Sequence, residues 1–339
     1  MCVIVKILSL SFFLSPMPSP PFQADASRHC PVSSEIVCGE EHVSPDDELH
    51  EYGNYTFHMT LPCMTRRMEF SCRDPSCGVL KEGEDAAEKT ADGRVDPFLF
   101  EPDYYLEAKT GFQVWPGSRL LVEALTCPKA YADCPAMLEW QEKLANGANV
   151  VELGAGIGVV GTCLAAAGGN VAITDLTTLV NNAVVPNIVR NSEESSEEEE
   201  CPQWMRDAST AKDAAPCKIG RGWAGGAVID WMVPLDSQLS KDVISDIDIV
   251  VGCDCFWMKK LIGPVLSIVA GVFAKSNKKP TFLATYQRRE ASPALFSTVD
   301  EVLDAVCSRG WTFECHAWRS NKIGEDGDNE VFLFQISPQ

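Results

Sequence analysis

Fifteen cysteines are scattered from Cys2 to Cys315 without a single C-x-x-C pair, and the five histidines show no H-E-x-x-H grouping. Standard zinc-ligand spacing is thus missing, and no metal is expected. Cys63, Cys72 and Cys77, with His58 close by, come nearest to a cluster; they read as ordinary thiols, with a metal or a disulfide as the lesser alternative. Long apolar runs are missing too. The stretch Ile7 to Leu14 is too short to cross a membrane as a helix, so no membrane partner is expected. Basic residues are scarce, 28 against 48 acidic, for a net charge of −20. Glu193, Glu194, Glu197, Glu198, Glu199 and Glu200 account for six of the acids, which leaves −14 on the rest. Such a surface repels phosphate backbones: nucleic acid is a poor partner and a basic, lysine-bearing protein segment a better one. The odd cysteine count, with Cys163, Cys253 and Cys255 inside apparent core segments, favours a reducing compartment. The cytoplasm is the expected location, with the nucleus open and a monomer as the expected state.

At 339 residues the chain can bury a full core. Residues 1–26 form a leader that reads either as a short signal peptide ending at Ala24-Asp25-Ala26 or, in preference, as a disordered segment. Residues 27–104 form a polar extension in which Tyr55 to Leu61 and Arg67 to Cys72 alternate well enough for a hairpin. Residues 105–339 form the main domain. Its strands are expected at Val150 to Leu153, Val171 to Asp175, Ala227 to Trp231, Ile247 to Asp254, Thr281 to Tyr286, Thr312 to Ala317 and Val331 to Ile336. Helical patterns stand at Arg119 to Leu125, Val159 to Ala167, Leu176 to Asn191, Leu261 to Phe273 and Leu295 to Ser308. Strands alternating with helices imply an α/β fold, a doubly wound, Rossmann-like sheet that is mostly parallel, with an antiparallel strand in its closing pair. Residues 192–218, acidic and of low complexity, read as a solvated insertion loop.

One stretch organises the main domain. Val150-Val151-Glu152-Leu153 runs into Gly154, Gly156 and Gly158, and an alanine-rich helix follows. Glycine lets the chain turn sharply against a ligand, and the helix start offers unpaired N–H groups, so a nucleotide-like cofactor is the natural occupant. Gly156, Gly158 and Gly161 satisfy G-x-G-x-x-G, with Asp175 at the offset of a ribose-binding carboxylate, so a dinucleotide is permitted. Glu152 points instead to a cationic ligand carrying adenosine, S-adenosylmethionine, because a carboxylate there repels a pyrophosphate and attracts an ammonium. Glu152, Asp175, Asp230, Trp231 and Asp254 all fall at expected carboxyl ends of strands, where ligands of such sheets bind.

Several pieces then stand in a fixed order. They are Thr110-Gly111-Phe112-Gln113-Val114-Trp115-Pro116, the Val151 to Gly158 turn, Ile173-Thr174-Asp175-Leu176 with Asn187 and Asn191, Asp230-Trp231, Val251-Gly252-Cys253-Asp254, and Ala284 to Arg289. Together, over about residues 105–336, they resemble the seven-strand, non-SET protein-lysine methyltransferases, methyltransferase family 16. The resemblance implies that Trp115, Glu152, Gly154, Gly156, Gly158, Asp175, Asp230, Trp231 and Cys253 hold S-adenosylmethionine. In that reading Glu152 meets the ammonium, Asp175 the ribose hydroxyls, Asp230 the adenine amine, and Trp231 offers a ring face. It further implies that Asp254 orients a target lysine amine, with Phe256, Trp257 and Tyr286 as aromatic walls. Tryptophan at 257 stands where the family carries tyrosine or phenylalanine. The rival readings are a methyltransferase acting on histidine or a small molecule, a non-catalytic cofactor-binding protein, and, less favoured, an NAD-dependent oxidoreductase.

Overall fold

The computed structural model describes residues 22–42, 54–64, 66–73, 111–193, 200–212, 214–288, 295–322 and 328–339. Three antiparallel strands come first: β1 (Val37–His42), β2 (Asn54–Thr60) and β3 (Met68–Arg73), in the order β1-β2-β3. The expected hairpin is therefore present and carries one more strand. Helices α1 (Pro116–Thr126) and α2 (Pro135–Ala145) lead to β4 (Asn149–Leu153), α3 (Val159–Ala166) and β5 (Asn170–Asp175). The next helical stretch starts as α4 (Thr177–Leu179), widens to a π-turn over Val180–Val184 and ends as α5 (Val185–Asn191), with Pro186 in its first turn. Then follow α6 (Gln203–Ala208), β6 (Cys217–Ile219), β7 (Gly222–Val228), α7 (Lys241–Ser245), β8 (Ile249–Cys253), α8 (Lys259–Lys275), β9 (Thr281–Gln287), α9 (Val299–Cys307), β10 (Trp311–Lys322) and β11 (Asp328–Pro338).

The second sheet runs β10-β11-β9-β8-β4-β5-β7-β6. Strands β7, β5, β4, β8 and β9 are mutually parallel, while β11 and β10 close one edge antiparallel, as expected. Every residue of β4 is buried, as in a strand covered on both faces. The order reverses at β4, which pairs with β5 on one side and β8 on the other, and that reversal opens a crevice beyond their carboxyl ends.

Three expectations change. The sheet has eight strands, because β6 adds antiparallel to β7. The expected loop 192–218 supplies both β6 and α6, whose Trp204, Met205 and Ala208 are buried; residues 194–199 and 213 of that loop lie outside the described residues. The third parallel strand is glycine-rich and lies upstream of its expected place, so Asp230 and Trp231 stand beyond its end. Its glycines are packing requirements: a Cβ on Gly225 would fall 1.8 Å from Ser209 Oγ and one on Gly222 2.2 Å from the Gly169 carbonyl oxygen.

The described parts of the leader and extension also join the fold. Phe57, Met59, Met68 and Phe70 of the small sheet share one core with Leu120, Leu121, Val160 and Cys163. Two amides of α5 cap the edge of β3: Asn187 Oδ1 accepts from Ser71 N at 2.8 Å, and Asn191 Oδ1 accepts from Glu69 N at 2.9 Å. Residues 22–26, expected within a disordered leader, dock on the closing hairpin. The Phe22 ring meets Phe313, Phe332 and Phe334 edge-on with centroids 5.5 to 6.3 Å apart, and its N–H donates to Asp300 Oδ1 at 2.7 Å.

Candidate functional site

A cavity of about 480 Å³ occupies the crevice, and the glycine turn forms its floor. Gly154, Gly156 and Gly158 have φ of +62°, +58° and +81°, a region that suits glycine. Gly156 is further constrained because a Cβ there would lie 2.6 Å from the Gly111 carbonyl oxygen. The turn therefore runs hard against the segment that starts at Gly111, and that close approach brings Gly111, Gln113, Val114 and Trp115 to the same wall.

Nine of the residues expected in the site line this cavity: Trp115, Gly154, Gly156, Asp175, Asp230, Trp231, Cys253, Asp254 and Trp257. Trp115 is the N-cap of α1, whose first-turn Ser118 is also on the wall. Asp175 ends β5, where its two oxygens accept from Gly156 N at 2.8 Å and from Leu176 N at 2.7 Å. Burial raises its pKa from 3.8 to about 6, against the lowering effect of those two N–H groups. Asp230 Oδ1 accepts from Met232 N at 2.8 Å, which fixes the turn that presents Trp231. The indole Nε1 of Trp231 is buried and has no hydrogen-bond partner among the described residues. Asp254, only 4 % exposed, sits just past β8 with φ +56°, a conformation costly for a residue with a Cβ. It is held there by two backbone bonds, its Oδ1 accepting from Gln287 N at 2.9 Å and its own N–H donating to Thr285 O at 3.1 Å. Trp257 lies near Phe296, with ring centroids 6.1 Å apart.

Four expected residues stand off the wall. Glu152 is 1 % exposed and lies behind the turn, where Oε2 accepts from Gly161 N at 2.9 Å. Burial raises its pKa to about 8, and the charge of Asp175 adds to the shift, so at neutral pH it is largely a neutral acid and not an open carboxylate facing an ammonium. The physical reason is its strand: no position in β4 reaches solvent. Gly158 is the N-cap of α3, and its ideal Cβ would face Ile173 and Val184. Phe256 points into the core, 6.0 Å from Phe282 between ring centroids. Tyr286 is buried, its hydroxyl donating to Ser297 O at 2.5 Å. Residues the sequence reading passed over are Met232, Cys255, Lys260 and Leu261. The last two had a visible signal, a lysine pair opening an apolar helical run directly after the Asp254 element. Arg288 directly follows β9 and donates to Phe22 O at 3.1 Å, while Arg289 and Thr110 lie outside the described residues.

Among the described residues no three metal-ligating side chains are grouped to hold an ion, and no helix is long and apolar enough to cross a membrane. The described cysteines are all free thiols; Cys77 is outside them. Cys253 Sγ lies 2.9 Å from Thr285 Oγ1, and burial pushes its pKa up to about 12, so it remains protonated.

Residues 103–214 match the model of a family described as lysine methyltransferase. S-adenosylmethionine is the cofactor of that family, in line with the expectation from the sequence. A search of curated proteins gives no match. Among solved structures, the chain is similar to magnesium protoporphyrin IX methyltransferase from Synechocystis PCC 6803 with bound SAH, at 11 % identity and TM-score 0.37, over 66 % of this chain and 88 % of that one. It is also similar to the glycopeptide N-methyltransferase MtfA complexed with S-adenosylmethionine, at 15 % identity and TM-score 0.34, over 57 % of this chain and 88 % of that one.

Proposed function

We propose that this chain, whose residues 103–214 carry the lysine methyltransferase match, binds S-adenosylmethionine in the crevice cavity and methylates a lysine side chain of a protein. The observation that carries the reading is the convergence of Asp175, Asp230 and Asp254 on one cavity floored by a glycine turn and walled by Trp115, Trp231 and Trp257. Three carboxyl groups suit a ligand with cationic centres and hydroxyls and oppose a pyrophosphate. This takes over the argument that the sequence assigned to Glu152.

The residues fit that cofactor. Asp175 is more than half ionised at neutral pH, and each oxygen, already accepting one N–H, keeps a lone pair for a ribose hydroxyl. Asp230 has a second oxygen for an amine, and the buried Trp231 N–H offers a donor at the same wall. When bound, the cofactor supplies an electrophilic methyl group. The chain's part is to present a neutral amine in line with it. A lysine amine in water has a pKa of about 10.4, so its proton must leave before nitrogen can attack. Asp254 is placed to accept a hydrogen bond from that amine, and its strained backbone, tied to Thr285 O, together with its carboxylate, tied to Gln287 N, fixes the direction of the bond. Trp257 supplies a ring face that attracts a cationic ammonium and tolerates added methyls.

The test is a transfer assay on the full chain with radiolabelled methyl donor and lysine-bearing peptides, comparing wild type with Asp254→Asn. We expect label on lysine, with kcat lowered at least tenfold in the variant while cofactor affinity stays near wild type. Label on histidine or on a small molecule would replace the substrate assignment, and saturable cofactor binding with no transfer would mark a non-catalytic binding protein.

A further inference from the structure

We propose that Phe22 is a positioning residue for methyl transfer, because its backbone ties together the two supports of the stretch from Asp254 to Trp257. The inference rests on the functional reading above, in which Asp254 and Trp257 meet the target amine. Phe22, Arg288 and Asp300 do not line the cavity, so any influence on the amine passes through the residues that do.

The first support is the carboxyl end of β9. Gln287, its last residue, donates its N–H to Asp254 Oδ1 at 2.9 Å. A strand end frays unless the residue beyond it is tied, and Arg288 is tied on several sides. Its N–H donates to Glu330 O at 2.7 Å, its Nε lies 2.9 Å from Glu330 Oε2, and its guanidinium stands 5.4 Å from the centre of the Phe332 ring. Its Nη2 donates to Phe22 O at 3.1 Å. The second support is the segment leading into α9. Ser297 N donates to Trp257 O at 3.2 Å, Ser297 Oγ donates to Phe256 O, and Lys259 N donates to Leu295 O at 3.2 Å. In the first turn of α9, Asp300 Oδ1 accepts from Phe22 N at 2.7 Å, and its neighbour Glu301 meets Lys259 Nζ at 2.5 Å.

Phe22 thus holds Arg288 by its carbonyl and Asp300 by its N–H. Its ring fixes that backbone, set edge-on among Phe313, Phe332 and Phe334 of the closing hairpin. The brace matters because Asp254 has φ +56°, which persists only while its surroundings over-determine it. Loosening the end of β9 frees the carboxylate that has to point at the amine.

The experiment compares the full chain with Phe22→Ala and Phe22→Leu at a temperature where melts show every protein folded. It reads kcat in the lysine-peptide transfer assay, S-adenosylhomocysteine affinity by calorimetry, and hydrogen exchange of the Gln287 amide. We expect Phe22→Ala to lower kcat about tenfold and to leave S-adenosylhomocysteine affinity within about twofold. Exchange at Gln287 should quicken about tenfold. Phe22→Leu, which keeps an apolar anchor, should retain most of kcat. In an Asp254→Asn background Phe22→Ala should cost no more than about threefold, since the carboxylate that it positions is already gone. A lower melting temperature with unchanged kcat and unchanged Gln287 exchange would reduce Phe22 to packing and overturn the inference. Equal losses of kcat with and without the Asp254 carboxylate would overturn it too, leaving the functional reading intact. A wild type that transfers no methyl group would remove both.

Discussion

Glu152→Gln gives the most quantitative forecast. The carboxyl is 1 % exposed and receives one N–H, from Gly161. Its pKa rises from 4.5 to about 8, chiefly through burial. The folded protein therefore keeps a proton on Glu152 that the unfolded chain releases above about pH 4.5. That contribution is fully present below the unfolded value and is lost as pH rises through about 8, after which it is flat. At about 1.4 kcal/mol per pK unit, the displacement amounts to several kcal/mol at most. Glutamine keeps the acceptor for Gly161 and does not ionise, so the variant loses this slope. Its amide NH₂ adds a cost that is independent of pH and cancels in the comparison between pH values. Urea unfolding at pH 5, 7 and 8.5 measures the effect. Relative to wild type, Glu152→Gln should gain about 2–4 kcal/mol between pH 5 and pH 8.5. Parallel pH dependences for the two proteins would refute the buried, neutral Glu152 and return it to the role of an open carboxylate.

Two further outcomes follow from packing. Gly156→Ala places a Cβ 2.6 Å from the Gly111 carbonyl oxygen at φ +58°, so the turn must move; S-adenosylhomocysteine affinity should fall at least tenfold by calorimetry, with only about 1–2 kcal/mol lost in stability. Glu123→Gln breaks a buried ion network, since Glu123, fully buried, receives Arg119 at 2.7 Å, Arg319 at 2.5 Å and the Ser33 N–H at 3.2 Å. It should cost about 3–5 kcal/mol in a thermal or urea melt while leaving ligand affinity at 10 °C within about threefold, because none of these groups lies on the cavity wall.

The parallel strands were legible because they are buried on both faces and read as apolar runs, as β8 and β9 do. β7 was expected five residues late, at Ala227 to Trp231, because its glycines deny its first residues a strand signature; the need for them lies in Ser209 and Gly169, which are distant in sequence or on another element. α6 was hidden beside the acidic run, although Trp204 and Met205 are apolar and packed. α2 had a signal that went unread, Met137, Trp140 and Leu144 at helical spacing behind a proline. Within the site, Asp175, Asp230 and Asp254 could be placed from their positions at or just past strand ends. Glu152 could not, because the sequence shows where a strand ends and not how deeply its last residues are covered. Phe256 and Tyr286 were drawn into the site by their chemistry, and the fold spends them on the core.

The measurement that tests the central claim most directly is calorimetric titration of the full chain, including the docked residues from Phe22, with S-adenosylhomocysteine and separately with NAD, beside Asp175→Ala. Asp175 lines the cavity and its carboxylate is the proposed acceptor for two ribose hydroxyls, each worth about 1.5–3 kcal/mol as a bond to a charged group. The account predicts saturable S-adenosylhomocysteine binding, no binding of NAD, and at least a hundredfold loss in a variant whose melt shows it folded. Binding of NAD, binding of neither ligand, or unchanged affinity in folded Asp175→Ala would contradict it.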